Sequence, residues 1–306
     1  MKRRAFLRNT GAAAVLAGAA GAPALLAQAA APTRPIGLEL FTLLKELDQD
    51  LVGTLKRVAA IGYREVESAF SSKPGCYGLK PREFAALLHD LGLAWPSQVV
   101  AAAPFRLPAG VSPPVGPDGK PLVMPPQLNL TENLPEVLAN AAAGGVAYLA
   151  CVAVPPATLD EVKQLADSLN TWGAAARRAG LTLCYHNHDQ EFRPLDGQVP
   201  YELLLARTDA QVVKMELDLA WVVKGGYDPV ALLKRQPGRF PLWHAKDLRA
   251  DHQTLAPVGG GSLDFKGILA EARRAGLQHL FVEHDQPADP YGSITASYQA
   301  LRTLLG

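Results

Sequence analysis

The run Leu181-Thr182-Leu183-Cys184-Tyr185-His186-Asn187-His188-Asp189-Gln190-Glu191-Phe192 decides how the chain is read. It starts as a short apolar stretch and finishes on ionisable side chains. Near-continuous hydrophobicity over a few residues is the pattern of a strand covered on both faces, as in a parallel sheet. The same shape recurs downstream. Val212–Asp218 closes on Glu216-Leu217-Asp218, Phe240–Lys246 closes on Trp243-His244-Ala245-Lys246, and Leu280–Glu283 runs into His284-Asp285.

Upstream, Ile36–Phe41, Tyr63–Ser68, Leu93–Val100 and Val146–Val154 read as four further strands. Helical spacing fills the intervals. Leu51, Val52, Leu55, Val58 and Ile61 lie on one helix face, which Gly62 ends. Pro81–Leu91 starts with proline in its first turn, and Leu130–Ala143, Thr158–Ala179, Pro200–Ala206, Pro229–Lys234, Asp264–Ala275 and Ser293–Leu305 complete the set. Eight strand–helix units predict a parallel α/β sheet. In about 275 residues they predict a closed (β/α)8 TIM barrel, whose usual length is about 250 residues. Residues 104–126 break the alternation with a Pro/Gly-rich stretch carrying Gly116-Pro117-Asp118-Gly119, read as a long loop that either covers the site or is mobile.

The first 30 residues read as a signal peptide. Lys2, Arg3, Arg4 and Arg8 precede an uncharged apolar stretch from Gly11 to Ala27, and Ala27-Gln28-Ala29 has the small-residue form of a cleavage site. Arg3-Arg4-Ala5-Phe6-Leu7 resembles a twin-arginine signal, which implies a periplasmic protein exported folded. The barrel then spans residues 31–306, with no stable membrane anchor after cleavage. Loss of those four charges takes the net from +1 to −3, so no basic field remains for nucleic acid. Cys76, Cys151 and Cys184 show neither a disulfide framework nor a zinc pattern, and read as small buried hydrophobes. Self-association into a homo-oligomer is left open by the sequence.

The C-terminal ends of barrel strands meet at one face, where such enzymes hold their sites. Asp218, His244 and Glu283 end three successive strands. Two carboxylates and an imidazole gathered there repel or stay unpaired unless a cation lies between them. The expectation is one divalent metal ion, with Mn, Co, Zn and Mg all compatible with mixed O and N donors. A fourth ligand comes from strand five, where His186, His188 and Glu191 are candidates and His186 is best placed by depth.

Together, Tyr185–Phe192, Leu217-Asp218-Leu219-Ala220, Trp243–Asp247, Val282–Asp285, Gly37–Thr42, Gly62–Glu67 and the turn Gly259-Gly260-Gly261-Ser262-Leu263-Asp264 resemble the xylose isomerase-like sugar phosphate isomerase/epimerase superfamily. More narrowly they resemble its secreted branch with a YHNHD-type fifth strand. The resemblance implies one divalent metal held from the fifth to eighth strands, with Asp218, His244 and Glu283 matching. Well-studied epimerases carry Glu where this chain has His186, and many relatives carry His where this chain has Ser97-Gln98.

The expected chemistry is isomerisation or epimerisation of a non-phosphorylated sugar or keto-sugar through a metal-stabilised enediolate. Glu283 is read as a ligand that doubles as base, with His188 or Glu191 as second acid/base. Glu39 and Glu67 are read as contacts to substrate hydroxyls, Trp243 and Trp221 as stacking surfaces, and Lys246 as an oxyanion partner or a surface ion pair with Asp247. Elimination from a 3-keto-glycoside at the same metal is the first alternative. A non-catalytic periplasmic carbohydrate-binding barrel is the second.

Overall fold

The computed structural model describes residues 34–104 and 127–306. The signal-peptide reading of residues 1–30 and nearly all of the 104–126 loop lie outside the described residues. Eight parallel strands close a barrel: β1 Gly37–Glu39, β2 Glu65–Ser68, β3 Ala94–Ala101, β4 Tyr148–Val152, β5 Thr182–His186, β6 Val213–Asp218, β7 Leu242–Ala245 and β8 His279–Val282. Sequence neighbours pair in order, and β1 closes on β8 through Gly37↔Phe281 and Leu38↔Val282. The expected α/β barrel is present.

Most connections are the helices the periodicity predicts, with side-chain caps where Asp, Asn or Thr precedes a helix. Asp50, Asn129 and Thr158 each accept the N–H three residues on. Three connections depart from the expectation. β1 ends at Glu39, because its carboxylate accepts the Phe41 N–H and turns the chain into a 3-10 turn, Leu40–Leu43. β6 runs straight into a helix, Leu219–Lys224, capped by Asp218. The segment after β7 forms a two-residue ribbon, Asp247–Leu248 with Leu255–Ala256.

Alternation along each strand separates two interiors. Leu183, Tyr185, Met215, Leu217, Trp243, Ala245, Leu280 and Val282 point outward into the large apolar layer under the helices. Cys184, Leu242 and Phe281, from β5, β7 and β8, meet instead in a separate small cluster with Tyr148, which fills the barrel itself. A Cβ at Gly37 would overlap the Phe281 ring, so glycine on β1 gives that ring its room. All three cysteines are unpaired, with Cys151 and Cys184 buried as expected. No helix among the described residues is long and apolar enough to cross a membrane.

Candidate functional site

Two residues beyond each member of the apolar plug, the barrel interior turns polar. Cys184 is followed inward by His186, Leu242 by His244 and then Lys246, and Phe281 by Glu283. β6 adds Glu216 and Asp218, and β2 adds Glu67. All are buried: Glu67, Glu216 and Asp218 completely, His244 and Lys246 to within 1%. The alternation that hides Trp243 and Tyr185 under the helices therefore delivers these groups to one end of the barrel.

Their contacts form one network. His244 Nδ1 lies 2.8 Å from Glu283 Oε2, and its Nε2 lies 2.6 Å from Glu67 Oε2 and 3.3 Å from Glu216 Oε1. The other Glu216 oxygen is 3.0 Å from His186 Nδ1. Ser97 Oγ donates to the second oxygen of Glu67. Lys246 Nζ sits 2.8 Å from Glu283 Oε2 and 3.1 Å from both Asp218 Oδ2 and Asp285 Oδ1. The Trp221 ring centroid is 4.6 Å from the same ammonium and 6.4 Å from the His188 ring. At the backbone, Asn187 Oδ1 accepts the Asp218 N–H and Asp218 Oδ1 accepts the Trp221 N–H, which fixes that carboxylate's orientation.

Burial and charge pull the ionisable groups in opposite directions. Burial lifts the Glu39 carboxyl well above its ordinary range, and Glu283 and Glu67 add to it. Burial, then Glu216, pushes Glu67 up to about 7. Burial, then Glu283, pushes Asp285 up to about 7. Glu283 goes the other way: burial opposes ionisation, but Lys246 and His244 outweigh it and hold the carboxylate charged. Burial disfavours the His244 imidazolium, yet Glu216, Glu283 and Glu67 together raise it well above the usual value. Lys246 is raised in the same way by Asp218, Glu283 and Asp285. Burial, with His244 nearby, lowers His186 to about 4; burial and His186 lower His188 to about 3.

The donor set fits a divalent cation. His186, Asp218 and His244 each bring a ligand atom within 4.8 Å of the others. Glu283 stands beside that group, its Oε2 2.8 Å from His244 Nδ1 and 2.8 Å from Lys246 Nζ. Buried Asp218 Oδ2 and Glu216 Oε1 make no hydrogen bond, although Lys246 Nζ and His244 Nε2 stand near them. Five buried carboxyls, Glu39, Glu67, Glu216, Asp218 and Glu283, share one ammonium and two imidazoles. Carboxyls crowded in this way are costly to ionise in a dry interior, which is why burial lifts Glu39 and Glu67 toward the neutral form, and a bound cation would offset that cost. His186, Asp218, His244 and Glu283 are the side chains that would hold it.

Five sequence-based roles change. Trp243 is corrected as a substrate contact: its ring is fully buried in the outer apolar layer, because its neighbour His244 takes the inward position. Glu191 is 1% exposed and accepts from Tyr185 Oη at 2.8 Å and from the His188 N–H at 3.1 Å. These contacts brace the fifth-strand loop. Glu67 has both oxygens engaged, by Ser97 and His244, and lies beneath the histidine. Glu39 commits one oxygen to its own turn. Lys246 makes no surface pair with Asp247. The Asp247 carboxylate instead accepts the N–H groups of Leu248, Gly259, Gly261 and Leu263, clamping the glycine-rich turn. A Cβ at Gly261 would collide with that carboxylate.

His188, read as an acid/base candidate, has its side chain 38% exposed. The sequence reading quoted Glu216, Ser97 and Asp285 but gave them no role in the site. A signal for two of them was present: Glu216 stands two residues before Asp218, and Asp285 two after Glu283, so both share the inward face of a ligand. Ser97 carried no such signal, since only the pairing of β2 with β3 brings it opposite Glu67.

Residues 55–304 match the family model described as "Xylose isomerase-like TIM barrel". Among curated proteins the chain is 29% identical over 150 residues to an inosose dehydratase of Lacticaseibacillus casei, covering 43% of this chain and 50% of that one. The curated relatives it matches are covered over about half their length or less. A solved sugar phosphate isomerase/epimerase from Parabacteroides distasonis superposes with TM-score 0.72 and 25% identity, over 89% of this chain and all of that one. The IOLI protein, solved with a bound zinc atom, shares the fold with TM-score 0.63 at 15% identity, over 89% of this chain and 98% of its own. By name these are sugar-processing enzymes or their structural kin, in keeping with the enzyme expected from the sequence. The chain belongs to the xylose isomerase-like TIM barrel family.

Proposed function

We propose that the protein is a divalent-metal-dependent lyase that removes water from a non-phosphorylated keto-polyol, either a ring ketone of the inosose kind or a keto-sugar. The observation that carries this reading is the buried convergence of His186, Asp218, His244 and Glu283 beside Lys246 and Asp285. When bound, the metal supplies Lewis-acid polarisation of the substrate carbonyl and stabilisation of the enediolate. The chain's own groups handle protons and position. His188, neutral and partly exposed, takes the proton from the carbon beside the carbonyl. Asp285, poised near neutrality and 28% exposed, gives a proton to the departing hydroxyl. The C–H and C–O bonds break, a C=C bond forms, and water leaves. Lys246 holds Asp218, Glu283 and Asp285 in one arrangement, and Trp221 forms a wall of the mouth.

Epimerisation or isomerisation is the second reading, favoured by the full-length likeness to the P. distasonis protein. It uses the same first step and returns the proton to carbon. The metal's identity among Zn, Mn, Co and Mg, export to the periplasm and assembly into a homo-oligomer belong to the proposal as well.

The test starts with elemental analysis of purified protein. Metal-loaded enzyme is then incubated in deuterated water with keto-inositols and free keto-sugars. Loss of one water from a substrate, seen by mass spectrometry, is expected. Deuterium in a recovered stereoisomer without water loss would favour the epimerase. Neither product nor exchange with any of these ketones would overturn both readings in favour of a carbohydrate-binding barrel. Fractionation of cells expressing the full chain tests the location, and light scattering the assembly state.

A further inference from the structure

We infer that Glu67 and Glu216 form a carboxylate floor that fixes the hydrogen positions on both metal-facing histidines, His186 and His244. The inference rests on the metal reading above and goes beyond its four ligands. Each imidazole has one nitrogen against a fully buried carboxylate, and on His244 the other nitrogen meets Glu283 Oε2. His186 Nδ1 is 3.0 Å from Glu216 Oε2, which leaves Nε2. His244 Nε2 is 2.6 Å from Glu67 Oε2, which leaves Nδ1 on the side of Glu283. Ser97 holds Glu67 from below, so the chain of contacts Ser97–Glu67–His244 ends at the ligand set.

A neutral imidazole has one N–H and one lone pair, and the bond made by one nitrogen decides which nitrogen can ligate. Carboxylates beneath ligating histidines fix ring orientation and raise ligand basicity, and their loss weakens metal binding about 10- to 100-fold. The geometry also ranks the two acid–imidazole groupings. Glu67, Glu216 and His244 come within 4.8 Å of one another just as His186, Asp218 and His244 do. In the lower group Glu67 has both oxygens engaged, and Glu216 has one oxygen on His186 and the other 3.3 Å from His244 Nε2, so the group is read as support for the histidines. Glu67 and Glu216 are positioning residues.

The first measurement needs no variant. In metal-free protein labelled with 15N-histidine, the His186 ring is expected as the neutral Nδ1–H tautomer. In zinc-loaded protein, the His244 ring is expected as the Nε2–H tautomer, with that hydrogen on the Glu67 side. Glu67→Gln and Glu216→Leu are then expected to weaken zinc binding about 10- to 100-fold in a chelator competition, with stoichiometry unchanged at one. Glu216→Leu should also shift His186 toward the Nε2–H tautomer. Nε2–H on His186 of the parent protein would overturn the inference. So would unchanged zinc affinity in folded variants, or a second zinc equivalent lost with Glu67→Gln. Absence of zinc binding by the parent protein would overturn the metal reading itself, a distinct result.

Discussion

Within the barrel, two layers only two residues apart along the same strands behave as opposites. The lower one is Cys184, Leu242 and Phe281 with Tyr148, apolar side chains packed on one another. The upper one is His186, His244, Lys246 and Glu283 with Glu67, Glu216 and Asp218: just as buried, but crowded with charge. Burial stabilises the lower layer outright. In the upper layer burial raises the cost of every charge, so the layer persists only through mutual pairing and, on our proposal, a cation. The lower plug is thus assigned to stability, and the upper layer to function at the expense of stability.

The contrast is most sharply tested at His244, which touches Glu67, Glu216 and Glu283. His244→Ala should abolish metal retention in elemental analysis. It should also cut turnover about 10³-fold, since metal polarisation contributes several kcal/mol to the transition state. Retained metal and rate would erase the distinction between the layers. Phe281→Ala should do the reverse, costing about 3–5 kcal/mol of stability in denaturant melts while the surviving folded protein still binds metal.

Asp285→Asn sharpens the upper layer. It should lower turnover about 10²-fold and remove the limb near pH 7 from the pH–rate profile. It also carries a linkage signature. The folded Asp285 value, about 7, lies above its ordinary 3.8, so its contribution favours the fold at low pH and is lost as pH rises through 7. Metal-free Asp285→Asn should therefore gain stability relative to the parent between pH 4 and 7. A constant difference in melting temperature over that range would contradict the assignment. The smallest effect is expected at Gly37→Ala, where the added methyl meets the Phe281 ring. Overpacking there should cost about 1–3 kcal/mol in thermal melts, with metal affinity unchanged.

Much of this was legible from residue order. The apolar runs that end on His, Asp and Glu predicted both the barrel and the identity of its working end. Asp218, His244 and Glu283 were found because three successive strands finish on ligand-type side chains. The reading went wrong where it took nearness to a strand end as a measure of access. Trp243 adjoins His244 in sequence, but alternation turns it to the other face. Glu191 lies beyond β5 and folds back under Tyr185. Applying the two-residue period to every strand end would have excluded Trp243 and brought in Glu216 and Asp285.

The sequence by itself determined the eight-unit alternation, the face on which strand ends gather and the residue types that gather there, because hydrophobic period and side-chain chemistry are local properties. Only the tertiary structure decided which groups share a hydrogen bond. Glu67 with Ser97 and His244, Glu216 with His186, and Lys246 with Asp218, Glu283 and Asp285 join residues on different strands, and those pairings depend on the register with which the barrel closes.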